Sequence, residues 1–331
     1  MIKRLIIILA YILFTACNNL EIPKTERLEN IRINFRNLDP ISKALKPSEA
    51  RITDLNILIF NHNNILEESI YLNSDELFKE EDYYSTEIKM LVNKNYTIFS
   101  AANFGYEIDV ETMEELKELR YHLSYPDEFS QGIPMTSFDE NILVREGEGI
   151  DIELERLMGK ISLCIDRSEL ETDIDLFVTS VQLKVSPKSI LIFSENQLNS
   201  SYEAFTAGYY MQGQGVEPLN YSMDEGKSGY ISLYALENIQ GELLPGNIDY
   251  SLKQFPKGNY KEKICSHLEI SLDYLKDDEK SGKIYYRYYL GESASDFSIE
   301  RNTHYRLCIK ACGDGLNEND WLVEIEEMKS I

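Results

Sequence analysis

Catalytic signatures are missing from this chain. It has no GxSxG elbow to present a nucleophilic serine, no GxxxxGK[ST] loop to cradle phosphates, no HExxH pair to hold zinc and no CxxC. Histidine, the usual acid–base side chain near neutral pH, occurs four times, at His62, His122, His267 and His304, in segments far apart. These absences point away from an enzyme, and neither a cofactor nor a metal is expected. Basic residues are in deficit: 33 Lys and Arg stand against 57 Asp and Glu, a net charge of -24. So anionic a surface repels a phosphate backbone, which excludes nucleic acid as a main partner. Outside the first sixteen residues no apolar run approaches the ~20 residues needed to span a bilayer. No period of 20–50 residues is present, which excludes solenoids and propellers.

What is present begins at the N-terminus. Lys3 and Arg4 form a basic head, Leu5 to Ala16 is an almost unbroken apolar run, and Phe14, Thr15 and Ala16 lead into Cys17. A basic head, a short apolar stretch and small residues before a cut site describe a secretory signal peptide over residues 1–16. A cysteine directly after the small residues resembles a bacterial lipobox. That resemblance implies cleavage before Cys17 and a diacylglycerol on its sulfur, so that residues 17–28 become a lipidated tether. Each acyl CH₂ buried in a membrane contributes ~0.8 kcal/mol, and two or more chains anchor a protein durably.

The body of the chain reads as strands. Tyrosine occurs 22 times against one tryptophan, and Tyr-, Val- and Ile-rich sequence favours pleated, half-buried surfaces. Ile31, Ile33 and Phe35 alternate with Arg32 and Asn34, and Leu55, Ile57 and Ile59 recur at the same spacing of two. A turn at Asn61–Asn64 then predicts a hairpin returning through Ile65–Leu72. Strands are also predicted at Tyr84–Val92 and Tyr96–Ala102, and one helix from a capping box at Thr112–Glu115 to about Tyr125. A second set of short strands starts near Lys160 and runs to Trp321–Ile325. A boundary between domains is placed at 155–162, giving 29–158 and 159–331. Residues 195–228 read as a long polar segment.

Four cysteines remain after Cys17. Cys164 falls within a strand-like run, and buried thiols behave as small hydrophobes, so Cys164, Cys265, Cys308 and Cys312 are read as free thiols. An exported protein could instead form disulfides, and spacing alone does not choose among three pairings. His304, Cys308 and Cys312 share one face of a strand, but they stand ~13 Å apart in steps, too far to share one ion. Gly313–Asp320 reads as a turn rich in Gly, Asn and Asp.

Several segments, taken in order, resemble the fimbrillin-like lipoproteins of Bacteroidota, the subunits of type V pili. They are Leu55–Phe60, Tyr96–Asn103, Ile133–Thr136, Arg156–Ile161, Leu233–Gly241, Tyr286–Gly291, Asp296–Tyr305 and Trp321–Val323. Glu237-Asn238, Leu290-Gly291 and Arg301–Thr303, combined with the lipobox, carry most of the likeness. The resemblance implies an all-β chain of two tandem transthyretin-like Greek-key β-sandwich domains, with one short helix in the first. It implies a structural or accessory subunit of a surface fimbria that supports adhesion. Its partners would be other fimbrial subunits, the outer membrane through the lipid, and host or bacterial surface ligands.

The mechanism so implied is strand exchange. A protease cuts behind the first strand, here carrying Ile31, Ile33 and Phe35, and a strand from another subunit enters the groove. Candidate cut sites are Lys43, Lys46 and Arg51. No arginine lies between Arg36 and Arg51, which favours an uncut anchor. Few residues follow Ile325, which favours a tip subunit over one that offers a donor strand. A surface glycan-binding lipoprotein used in nutrient capture is the rival reading, because tyrosine faces and hydroxyls suit sugars.

Overall fold

A computed structural model describes residues 27–37, 49, 51–80, 83–123, 132–193, 198, 200–220, 226–277, 279–316 and 321–330. The lipid-attachment candidate Cys17 and the processing candidates Lys43 and Lys46 lie outside the described residues. The elements before residue 157 are β1 (Leu28–Asn37), β2 (Asp54–Asn61), β3 (Leu66–Asn73), β4 (Phe78–Lys79), β5 (Tyr84–Leu91), β6 (Asn95–Ala102), α1 (Met113–Glu118), β7 (Arg120–His122), β8 (Met135–Leu143) and β9 (Ile150–Arg156). After it come β10 (Met158–Leu170), β11 (Ile174–Lys184), β12 (Ser186–Pro187), β13 (Ser189–Leu191), β14 (Phe205–Thr206), β15 (Tyr210–Gln212), α2 (Glu217–Asn220), β16 (Ile231–Leu236), β17 (His267–Lys276), β18 (Glu279–Tyr289), β19 (Thr303–Gly313) and β20 (Trp321–Ser330). The all-β expectation is borne out.

Eight of the first nine strands, all but β7, belong to one sheet. The order β3-β2-β6-β8-β9-β1-β5-β4 forms a continuous sheet. Its weak point is the β8–β9 seam, where only Met135–Arg156 and Thr136–Glu155 pair. The sheet folds over there, and one core fills the space: Ile31, Ile33 and Phe35 from β1, Leu55, Ile57 and Ile59 from β2, Ile98 from β6 and Ile152 from β9. The predicted β2–β3 hairpin forms, with Leu55 opposite Leu72 and Ile57 opposite Ile70. The strands either side of Asn93–Asn95 do not pair with each other: β5 joins β1 and β4, and β6 joins β2 and β8.

Two readings from the sequence need correction. β2 is not half-buried. Its even-numbered face, with Leu58 and Phe60, is covered by a second cluster containing Phe104, Ile108, Met113, Leu116 and Tyr121, together with Ile190 and Ile192 from beyond residue 157. Asn56 survives in that layer because both polar atoms of its side chain are partnered: it accepts from the Ile108 amide at 2.8 Å and donates to the Tyr106 carbonyl at 3.1 Å. The helix is also shorter than its periodicity. The capping box forms as expected, with the Glu115 amide donating to Thr112 Oγ1 and the Thr112 amide to Glu115. Yet α1 stops at Glu118, and Leu119 turns extended at ψ 134°. β7 then pairs with β13, and this tertiary ladder overrides the helical spacing of Leu119 and Leu123.

Strands after residue 157 pair among themselves, apart from β13 with β7. The orders are β16-β10-β19-β20 and β15-β11-β17-β18. Ile161, Leu163 and Ile165 of β10 and Leu307 and Ile309 of β19 belong to the same core cluster as Leu268, Ile270 and Leu272 of β17. The polar segment 195–228 contains the short strands β14 and β15 and the helix α2 among its described residues.

His267, at the start of β17, sits against Tyr289 and bonds through Nδ1 to the Cys265 carbonyl at 3.1 Å. Burial lowers its pKa to about 4. An unfolded histidine titrates near ~6.5. Between these values the unfolded chain binds a proton that the folded chain refuses, so the stability contributed by neutral His267 is whole above pH ~6.5 and is lost as pH falls toward 4. Urea unfolding at pH 7 and pH 4.5 should show a loss of about 2–3 kcal/mol from this group. His267→Gln should flatten that part of the profile; an unchanged slope would contradict the assignment.

Candidate functional site: the first strand and its moorings

β1 lies in the middle of its sheet. It runs antiparallel to β5, with Ile31 opposite Ile88 and Phe35 opposite Tyr84, and parallel to β9, with Ile33 opposite Ile150 and Phe35 opposite Ile152. Ile31, Ile33 and Phe35 are 2%, 0% and 0% exposed. Burying each such side chain stabilises the fold by about 1.5–3 kcal/mol. The opposite face is polar and lightly held. Arg32 donates to Ser85 Oγ at 3.0 and 3.2 Å, and Asn34 Nδ2 to Asp151 at 2.8 Å. The strand is therefore fastened by three inward side chains and two backbone ladders. If it left, it would open a groove walled by β5 and β9.

The chain re-enters the described structure at Glu49 and Arg51. Glu49 is 3% exposed, and its carboxylate accepts from Lys160 Nζ at 2.9 and 3.1 Å and from the Tyr234 hydroxyl. Lys160 on β10 and Tyr234 on β16 are register partners. Burial, followed by the hydrogen bond and charge of Glu49, drives the Tyr234 hydroxyl far above its usual range. It therefore stays protonated and keeps donating. The segment that follows β1 is thus pinned by a buried carboxylate onto strands that lie beyond residue 157.

Arg51 presents an exposed side chain, but its peptide is held. Its carbonyl accepts from Asn103 Nδ2 at 2.8 Å, Ile52 is 1% exposed, and the Thr53 amide donates to Asn103 Oδ1 at 2.8 Å. Asn103 Nδ2 also donates to the Ile133 carbonyl at 2.8 Å. Asn103 adopts φ 65°, a conformation that asparagine tolerates. Gly132 stands behind it at φ +127°, where an added Cβ would lie 2.6 Å from Asn103 Nδ2. The segments Tyr96–Asn103 and Ile133–Thr136, two of those that carry the resemblance in the sequence, meet at this clamp.

The structure brings Ile31, Ile33 and Phe35 together in one row, and it places Arg51 at the far end of the segment that follows them. Sequence reading missed Glu49, Lys160, Tyr234 and Asn103 as moorings. Lys160 lay within a resemblance segment but in a run of apolar residues, where a lysine signals a buried partner. His304, Cys308 and Cys312 find three different partners on β10: Ser162 at 2.9 Å, Cys164 at 2.8 Å and Glu169 at 3.4 Å. Among the described residues no group of three or more His, Cys, Asp or Glu side chains is arranged to hold a metal.

A cleft of about 320 Å³ opens beyond the β8–β9 seam, lined by Ser137, Asp139, Glu153 and Glu155 on one side and Phe193 and Arg301 on the other. Arg301 is held by Glu237 at 2.8 and 3.0 Å, and burial raises the Asp139 carboxyl above the usual carboxylate range.

The family described as "Domain of unknown function (DUF4906)" matches residues 233–309, from β16 into β19. No curated protein matches the chain by sequence. Solved structures do match over nearly the whole length. One is a Bacteroides eggerthii protein described as a candidate cell adhesion protein, with a TM-score of 0.59 at 15% identity, covering 91% of this chain and 96% of that one. Another is the tip fimbrial protein Mfa3 of Porphyromonas gingivalis with a C-terminal truncation, at 0.58 and 14%, covering 92% and 100%. A third is a fimbrilin, FimA, of the same organism, at 0.53 and 15%, covering 89% and 96%. At these identities the shared property is the fold, and the resemblance read in the sequence is borne out at that level.

Proposed function

We propose that this chain is a structural or accessory subunit of a bacterial surface fimbria, assembling by β-strand exchange at the β1 groove and supporting adhesion. The observation that carries the proposal is β1 itself: a central strand, polar outside and knobbed inside, whose removal leaves a ready template for another strand. The fold shared with a tip fimbrial protein and a fimbrilin supports it. The division into domains at 29–158 and 159–331 belongs to the same reading and is supported by the pairing of strands on either side of Leu157. So do the signal peptide, acylation at Cys17, the outer-membrane location and the partnership with other fimbrial subunits and surface ligands.

Processing is the open variable within this reading. A cut after Arg51 needs its carbonyl free of Asn103, Ile52 lifted from the core and Glu49 pulled from Lys160. Proteases act on locally opened chain, so Arg51 is guarded, which leaves Lys43 and Lys46 as candidates and favours an uncut, lipid-held subunit. The test is to shear cells, isolate filaments and read the mature N-terminus by mass spectrometry. An acylated Cys17 start in filament fractions is the expected result. A start at 44–52 would mark a processed, polymerising subunit. Retention in the membrane with none in filaments would overturn the proposal in favour of a glycan-binding lipoprotein.

A further inference from the structure

The fimbrial reading uses none of the four cysteines of the body, yet two of them face each other. β10 and β19 run parallel with Cys164 opposite Cys308. The residues are 1% and 2% exposed, and their Sγ atoms lie 2.8 Å apart. Non-bonded carbon atoms rest about 3.5–4.0 Å apart, and sulfur is larger, whereas a disulfide bond measures ~2.0 Å. The two sulfurs are already inside ordinary contact. Adjacent strands ~4.8 Å apart also fall within the ~4.4–6.8 Å Cα separation that disulfides span.

The surroundings sharpen the case. The inner face of these strands is apolar, through Ile161, Leu163, Ile165, Leu307 and Ile309. The cysteines are on the other face, between the Ser162–His304 pair at 2.9 Å and the Glu169–Lys310 pair at 2.5 Å. The other two cysteines have different surroundings. Cys265 is buried in the cluster of Phe255, Tyr289 and Phe297, and burial pushes its thiol up to about 12. Cys312 is 3.4 Å from the Glu169 carboxylate.

We propose that Cys164 and Cys308 form a disulfide that staples the parallel β10–β19 pair, while Cys265 and Cys312 remain thiols. The oxidant is an external disulfide, carried by a small thiol compound or by a thiol oxidoreductase. One cysteine thiolate attacks it and expels one oxidant thiol, leaving a mixed disulfide. The second thiolate then attacks the protein sulfur and expels the other. Two protein thiols become one disulfide, and one external disulfide becomes two thiols. The closed sheet shields both sulfurs, so the exchange takes place while β19 docks on β10. The bond joins residues 144 apart in sequence and removes the unfolded states in which those strands drift apart. It revises the reading of all four as free thiols. The inference rests on export to an oxidising compartment, which is part of the function proposed above.

The full chain is recovered from the cell envelope, alkylated in denaturant without reductant, digested and analysed by mass spectrometry. The expected product is the Cys164 peptide linked to the Cys308 peptide, with Cys265 and Cys312 alkylated. In a second arm the chain is reduced, unfolded and refolded with oxidised and reduced glutathione; the same pair should link at least about tenfold over any other pairing. Linkage on refolding with alkylated thiols in the envelope upholds the pairing and overturns the export premise alone. Alkylation of all four cysteines in both arms, or linkage of a different pair, overturns the proposal.

Discussion

Ile33→Asp is expected to cost at least 3–5 kcal/mol and to expel β1 from its groove. Truncating a buried Ile or Phe removes about 2–5 kcal/mol of packing, and a carboxylate placed there adds an unpaired buried charge. Ile33 is 0% exposed and paired on both sides, to Thr86 and Ile150. A typical domain is stable by about 5–15 kcal/mol in total, so the loss is a large fraction of what the sheet has. Arg32→Ser is the matched control on the solvent face. Its guanidinium is half exposed and reaches Ser85, the Tyr83 ring and, at 3.4 Å, Glu80, so its expected loss is below about 1 kcal/mol. Denaturant unfolding gives the numbers. Hydrogen exchange along Ile88–Met90 and Ile150–Leu154 reports whether the groove stands open. Equal losses for the two variants would mean that β1 is not held by its inward face, and would remove the basis for strand exchange.

Lys160→Met is expected to be the second severe change, at about 3–5 kcal/mol, because it leaves the Glu49 carboxylate buried without its cation. The double variant Lys160→Met with Glu49→Leu should recover most of this. Apolar replacement of a buried pair is often neutral or better, and only the Tyr234 hydroxyl, deprived of its acceptor, keeps a penalty of about 1–3 kcal/mol. Stability does not exhaust the effect. Once Glu49 is unpinned, the peptide at Arg51 retains the Asn103 clamp and the burial of Ile52 but loses its third hold, so cleavage by trypsin there should accelerate more than unfolding does. A thermodynamic cycle over the two sites, read beside the rate of cleavage at Arg51, checks both. Cleavage that tracks global stability in every variant would show that Glu49 does not guard the segment.

How much of this was legible follows from which forces are local. β1 and the β2–β3 hairpin were readable because alternation and a turn at Asn61–Asn64 are local statements of period two. The capping box at Thr112 was readable for the same reason. The end of α1 was not, since it is decided by β13, some seventy residues away in sequence. The burial of both faces of β2 was hidden too, because its even-numbered residues mix Asn56 with Leu58 and Phe60, and Asn56 is satisfied by a loop that the sequence does not place beside it. The row Ile31, Ile33 and Phe35 was found correctly, whereas the moorings were missed: Glu49 looks like one more acid among 57 until Lys160 is seen above it.

The mixed pairing of β1 bears on how any replacement strand could choose its direction. One wall of the vacated groove, β5, met its guest head to tail over eight residue pairs, and the other, β9, ran alongside it over five. A newcomer of reversed polarity would exchange these relations, turning the antiparallel wall parallel and the parallel wall antiparallel. Hydrogen bonds would be available either way, and the slight weakness of parallel ladders would merely move to the longer wall. Backbone chemistry alone is therefore nearly blind to orientation here. What can read direction is the row of three sockets, graded from isoleucine to the larger phenylalanine at the Tyr84 and Ile152 end, so a strand entering backwards would bring its bulk to the wrong end of the groove.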